Sequence, residues 1–201
     1  MNIAVFASGK GTNLQSLIDA EKSANLAEGH IRLVISDKKD AYALIRAAKA
    51  EINTFVLESK ECSSREEYEK KLMIRLKKEN IDLIVLAGFM RILSADFVEA
   101  YKGRIINIHP ALLPSFKGMH GIKDAFDYGV KITGVTVHFV DKEIDEGPII
   151  LQKSILVEDH DNLETLEEKV HKEEHVLYPL VVKLFVEGRL KIEGRKVRIA
   201  E

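Results

Sequence analysis

Short apolar runs alternating with stretches of helical periodicity organise this chain. Ile3 to Ala7 is apolar throughout and is closed by Ser8-Gly9, the pattern of a strand buried on both faces. Asn13 to Lys22 then carries Leu14, Leu17 and Ile18 at helical spacing. Ile31 to Ile35 predicts a second strand, alanine-rich Ala41 to Ala50 a helix, and Thr54 to Leu57 a third strand. Ser63-Ser64, followed by Glu66 and Glu67, supplies an N-cap with acids in the first turn of a helix running to Lys78. Ile81 to Leu86 is a fourth strand, Ser94 caps a helix reaching Tyr101, and Arg104 to His109 is a fifth strand. A helix over Ile122 to Tyr128 precedes strands at Gly134 to Val140 and Ile149 to Val157. Asn162 to Val186 predicts a long last helix, with a kink or break ahead of Pro179. Leu190 to Ile199, with Gly194 between two short runs, predicts a hairpin.

Strands alternating with helices of these lengths predict an α/β fold: a doubly wound, mostly parallel twisted sheet of about seven strands with helices on both faces. The 201 residues fit one domain, 1–201. In such sheets ligands bind beyond the carboxyl ends of the strands, which directs attention to loops 8–13, 87–93 and 107–121.

The fifth strand ends in Asn107-Ile108-His109-Pro110. Residues two apart on a strand share a face, so an amide and an imidazole emerge side by side, and Pro110 prevents continuation as a paired inner strand. If Asp145, in Asp-Glu-Gly-Pro, folds back to meet them, the three form a cluster suited to acyl transfer. The amide holds a carbonyl oxygen, the imidazolium stabilises developing negative charge, and the carboxylate sets the imidazole's protonation state. In the first loop, Ser8-Gly9-Lys10-Gly11-Thr12-Asn13 precedes a helix, so freed backbone N–H groups and the helix N-terminus make an anion site. Leu14 stands where a dinucleotide fingerprint needs its third glycine, although Asp37 could imitate the ribose acid; a Walker ending is missing too. A single phosphate of a small metabolite fits best.

A net charge of −2 gives no electrostatic case for nucleic acid, and no apolar run approaches the ~20 residues of a membrane helix. The first strand begins at once, leaving no room for a targeting signal, and the single cysteine, Cys62, points to a reducing cytoplasm. His171 and His175 stand four apart but lack the zinc-protease pattern and read as a solvated helix face. His138 reads as a hydrogen-bonded structural residue, His120 as a loop residue bordering a pocket or facing water, and no metal is expected. Monomer and homodimer both remain open.

The chain resembles the phosphoribosylglycinamide formyltransferases, folate-dependent enzymes of purine synthesis, from Met1 to about Leu190. The resemblance rests on Ser8 to Gln15, Leu86-Ala87-Gly88-Phe89-Met90-Arg91-Ile92-Leu93, Asn107 to Pro110 with Leu112-Leu113-Pro114, Val137 to Val140, and Asp145 to Pro148. Thr12 stands where the family usually has serine, Ala111 replaces a common serine and Lys117 a common proline. The resemblance implies formyl transfer from 10-formyltetrahydrofolate to glycinamide ribonucleotide, both small molecules, with Asn107, His109 and Asp145 catalytic and no metal. It further implies a phosphate-binding half, about 1–100, and a folate and catalytic half, about 101–201. Gly11, Thr12, Asn13 and Leu14 would hold the phosphate, and Glu174 the ribose. Met90, Arg91, Ile92, Leu93, Val140 and Asp141, with Asn107 and Asp145, would line the folate site, and Arg65 would meet the folate's acidic tail, the competing reading being a surface charge. Two alternatives are another formyl acceptor, or a formyltetrahydrofolate hydrolase; a nucleotide-binding module without catalysis would leave the Asn-His-Asp set unexplained.

Overall fold

The computed structural model describes residues 1–200; Glu201, at the end of the predicted domain, lies outside the described residues. In chain order the elements are β1 (Asn2–Phe6), α1 (Thr12–Lys22), β2 (His30–Ser36), α2 (Tyr42–Lys49), β3 (Asn53–Val56), α3 (Arg65–Lys78), β4 (Leu83–Leu86), α4 (Ala95–Ala100), β5 (Ile105–His109), α5 (Gly121–Tyr128), β6 (Ile132–Phe139), β7 (Ile149–Leu156), α6 (Leu163–Val186), β8 (Leu190–Glu193) and β9 (Lys196–Ile199). One sheet contains all the strands, in the order β3-β2-β1-β4-β5-β6-β7-β9-β8. Strands β1 to β5 run parallel, whereas β6 is antiparallel to both β5 and β7.

The sheet has nine strands where about seven were expected. The predicted hairpin, β8–β9, is the difference: it docks on the free edge of β7 through Ile149 and Lys196, pairing backbone groups that would otherwise be left open. Of the kink or break expected ahead of Pro179, the break does not occur: α6 continues through the proline. Tyr178, Val181 and Val182, all fully buried around the proline, hold the two halves of the helix against the sheet. Ser64 and Ser94 cap α3 and α4 as predicted, accepting from the Glu67 and Phe97 backbone N–H groups.

Two apolar layers sandwich the sheet. On one face α1, α2, α5 and α6 bury Leu14, Leu17, Ala43, Ile122 and Val170 against Val5, Val85, Ile106 and Val137. On the other, Tyr68 and Leu72 of α3 and Phe97 of α4 cover Phe6, Leu86 and Ile105. Alternation along β5 puts Asn107 and His109 on this second face, beyond the helices. Cross-strand register sets His138 opposite Asn107, Thr136 opposite His109, and Gln152 opposite Thr136. On this part of the second face the loops 110–120 and 140–148 take the place of helices. The strand residues there are therefore polar, and the site lies among them.

Candidate active site

Asp145 folds back onto the His109 ring of β5, while Asn107 is held by His138. Asp145 Oδ2 lies 3.5 Å from His109 Nδ1 and accepts a hydrogen bond from the Gly118 backbone N–H at 2.9 Å. The other ring nitrogen, His109 Nε2, stands 2.8 Å from the Phe116 carbonyl oxygen. Both nitrogens of this buried ring thus face oxygen atoms. Asp145 adopts a left-handed conformation at φ 54° and Phe116 at φ 51°, so the two groups that address the imidazole each sit on strained backbone.

His138 belongs to the cluster as well. Its Nδ1 lies 2.9 Å from the Phe139 carbonyl oxygen and must donate there, while burial lowers its pKa and keeps the ring neutral. That leaves Nε2 as an acceptor for the Asn107 amide nitrogen at 3.2 Å. The neutral imidazole therefore orients the Asn107 amide, committing one N–H and leaving the second for a ligand. Reading His138 as a hydrogen-bonded residue holds, but its place beside the trio was missed. Thr136 and His138 alternate along their strand as Asn107 and His109 do on its neighbour, but Thr133 is polar there too, so the sequence alone does not single His138 out.

The same polar face organises the loop that brings Phe116. Thr136 donates its hydroxyl to the Ala111 carbonyl at 2.7 Å and accepts from the Leu113 N–H at 3.0 Å. Gln152 donates to the Leu113 carbonyl and to the Thr136 hydroxyl, each at 2.9 Å.

The glycine loop lies between β1 and α1, with Gly11 at the N-cap in a left-handed conformation, φ 68°. A Cβ on Gly11 would approach both Cα and Cβ of Ala43 to 2.8 Å, so the residue is demanded by backbone angle and by the closeness of α2. Gly9, in contrast, has nothing within 4 Å of a built Cβ. Burial of Leu14 and Leu17, contributing about 1.5–3 kcal/mol each, anchors the helix behind the loop. The Leu14 side chain is wholly in the core, which leaves only its backbone N–H for a phosphate. Arg46 stiffens the loop from α2, donating to the Lys10 carbonyl at 2.9 Å and the Gln15 side chain at 3.0 Å.

Asn13 and Glu174 meet across the fold: the Asn13 amide donates to Glu174 Oε2 at 3.1 Å, and His171 Nδ1 lies 2.9 Å from the same oxygen. That hydrogen bond raises the His171 pKa above the usual histidine value. His171 stacks on His175, which burial pushes the other way and whose Nε2 has no partner among the described residues. The expected solvated face is thus only half right: His171 is exposed, but packing of α6 against α1 draws His175 inward. Asp37 ends up just past β2 with its Oδ1 buried and without a partner among the described residues.

Loop 87–93 is tied to the glycine loop, Met90 N–H donating to the Ser8 hydroxyl and Ser8 N–H to the Gly88 carbonyl. Met90 and Ile92 stay exposed at 54% and 65%, while Arg91 lies over Tyr68 and Leu93 packs on the second core. Arg65 donates to the Ile92 carbonyl at 2.7 Å and pairs with buried Glu69, so it supports this loop. Val140 closes β6 onto the Ile105 carbonyl, and Asp141 accepts from the Glu143 N–H. His120 is exposed at the start of α5. Among the described residues, the grouping of metal-ligating type is Glu158, His160 and Asp161 ahead of α6, where Lys169 already pairs with both carboxylates. None of the described helices is long and apolar enough to cross a membrane.

Comparison with known proteins agrees with this geometry. A model of the formyl transferase family matches residues 1–182. Phosphoribosylglycinamide formyltransferase of Escherichia coli K12 is 45% identical over 192 residues, 96% of this chain and 90% of that protein. The trifunctional purine biosynthetic protein adenosine-3 of Chironomus tentans is 42% identical over 96% of this chain, which spans 14% of that longer protein. Glycinamide ribonucleotide transformylase 1 from Symbiobacterium toebii superposes with a TM-score of 0.97 at 43% identity, covering 100% of this chain and 94% of that one. Matched over most of its length and aligned along nearly all of the E. coli protein, the chain belongs to the formyl transferase family.

Proposed function

We propose that the chain transfers a formyl group from 10-formyltetrahydrofolate to the amine of glycinamide ribonucleotide, a step of purine synthesis. The observation that carries this reading is the contact of His109 with Asp145 on the strand that also presents Asn107, itself held by His138, in a sheet whose first strand leads into a phosphate-sized glycine loop. In the reaction the amine nitrogen attacks the formyl carbon, and the carbonyl electron pair moves onto oxygen. The free N–H of Asn107 donates to that oxygen, and the adjacent His109 imidazolium offsets its charge. Asp145 carries the proton lost by the attacking amine to the departing folate nitrogen as the old carbon–nitrogen bond breaks. Gly11, Thr12, Asn13 and the Leu14 N–H hold the phosphate, with Glu174 at the ribose; Met90, Ile92 and the 140–145 loop border the pterin. Arg65 acts on the folate site through the Ile92 carbonyl. The chain works on small molecules, and the lone free Cys62 suits the cytoplasm.

Incubating the protein with 10-formyltetrahydrofolate, with and without the ribonucleotide, tests the assignment against a hydrolase. Formylated ribonucleotide is expected, with deformylation requiring the acceptor. Folate consumption at the same rate in its absence would overturn the acceptor assignment.

The phosphate loop makes a second expectation. Gly11→Ala raises KM for the ribonucleotide by at least about tenfold, because a left-handed alanine pressed on Ala43 must shift the loop N–H groups. Gly9→Ala leaves the melting temperature unchanged. Equal KM values for Gly11→Ala and wild type would remove the phosphate from this loop.

A further inference from the structure

We propose that the ion pair between Lys117 and Glu146 is a positioning element of the reaction, clasping segment 116–118 to segment 145–146 so that both acceptors stay on the His109 ring. The inference rests on the catalytic reading of His109 and Asp145 given above. Besides the Asp145 carboxylate facing His109 Nδ1, three contacts join these segments to each other or to the imidazole. The Phe116 carbonyl meets Nε2, the Gly118 N–H donates to the Asp145 carboxylate, and Lys117 Nζ lies 2.7 Å from Glu146 Oε1.

Backbone strain gives the pair its purpose. Phe116 and Asp145 both hold positive φ, a state that persists only where the surroundings over-determine it. Each strained residue is followed directly by one member of the pair, so a single contact restrains both. Neither segment is held by regular structure, since 116–118 lies between β5 and α5 and 145–146 between β6 and β7. The Lys117 ammonium also lowers the Glu146 pKa below the usual carboxylate value, as expected of a formed pair. Arg195, from the β8–β9 turn, lines the same cavity of about 160 Å³ with Lys117, Asp145 and Glu146 and adds a second, weaker positive influence on Glu146.

Exposure sets the size of the effect. The Lys117 and Glu146 side chains are 36% and 46% exposed, so the contact is weak and screened by salt. A loss of about fivefold in turnover is what such a pair supports, well short of losing a catalytic group.

The test compares single-turnover formyl transfer by wild type, Lys117→Met, Glu146→Gln, the charge swap Lys117→Glu with Glu146→Lys, and Asp145→Asn. Each neutral single variant is expected to react about fivefold more slowly with an unchanged KM for the ribonucleotide, and the swap to recover to within about twofold of wild type. Raising salt to about 1 M should slow the wild type towards the single variants while leaving those variants unaffected. Single variants as fast as wild type at low salt, or a swap no faster than they are, would overturn the clasp. Asp145→Asn separates the two layers: fast transfer by that variant sinks the catalytic reading, whereas its inactivity beside fully active Lys117→Met sinks the clasp alone.

Discussion

Asn107→Ala is expected to lower single-turnover formyl transfer by about 10²–10³ while the protein still folds. The loss of one preorganised donor accounts for about 2.7–4 kcal/mol of barrier, because that donor faces charge which appears only as the amine adds. A ground-state hydrogen bond would act chiefly on KM, so the effect should fall on the chemical step and leave folate binding nearly unaltered. His138 explains why this amide is preorganised: its neutral ring accepts one Asn107 N–H, so the other need not reorient. Asn107→Asp sharpens the test. The carboxylate keeps the shape but cannot donate, and its charge opposes the oxyanion, so its loss should equal or exceed that of alanine. Either variant reacting at the wild-type rate would refute the donor role.

The strand carrying Asn107 and His109 was legible because its two polar residues alternate with isoleucines and end at a proline, so face and position follow from local geometry alone. Asp145 was legible as a candidate, but its meeting with His109 depends on how the 140–148 loop lies over the sheet. His138 shows the limit. Within its own strand it is one histidine among valines, and only the pairing of Asn107 with His138 places it at the site. Register between strands separated in sequence is set by the packed sheet, not by either strand's pattern. Pro179 shows the converse: local propensity allows a kink or a break, and the burial of Tyr178, Val181 and Val182 keeps the helix unbroken. The hairpin was visible in Gly194 and its flanking runs, whereas its docking rests on the Ile149–Lys196 pairing, to which no local pattern points. Within the glycine loop the motif drew attention to Gly9 and Gly11 alike, but only the nearness of Ala43 distinguishes the required one.

Gly147→Ala should reduce single-turnover transfer by about 10²-fold, through a residue that touches neither substrate in the proposed reaction. A Cβ at this position would stand 1.7 Å from the Phe139 carbonyl oxygen and 2.8 Å from its carbon, both backbone atoms that cannot swing aside. The φ of Gly147 is not among the positive values of this chain, so the glycine serves the close return of the chain rather than an unusual angle. Relief must come from the loop itself. Moving residue 147 outward carries Asp145 with it, because only Glu146 lies between the two to absorb the shift. The Phe139 carbonyl also accepts from His138 Nδ1, so a change there loosens the ring that orients Asn107. One methyl group therefore disturbs both the carboxylate and the amide, and a displacement of about 1 Å can slow a reaction by about 10². The phosphate loop lies on other strands, so ribonucleotide binding by isothermal titration should stay within about threefold of wild type. Gly147→Ala with full activity would mean that the Asp145 carboxylate can move without consequence, and the reason for a glycine in Asp-Glu-Gly-Pro would lie outside catalysis.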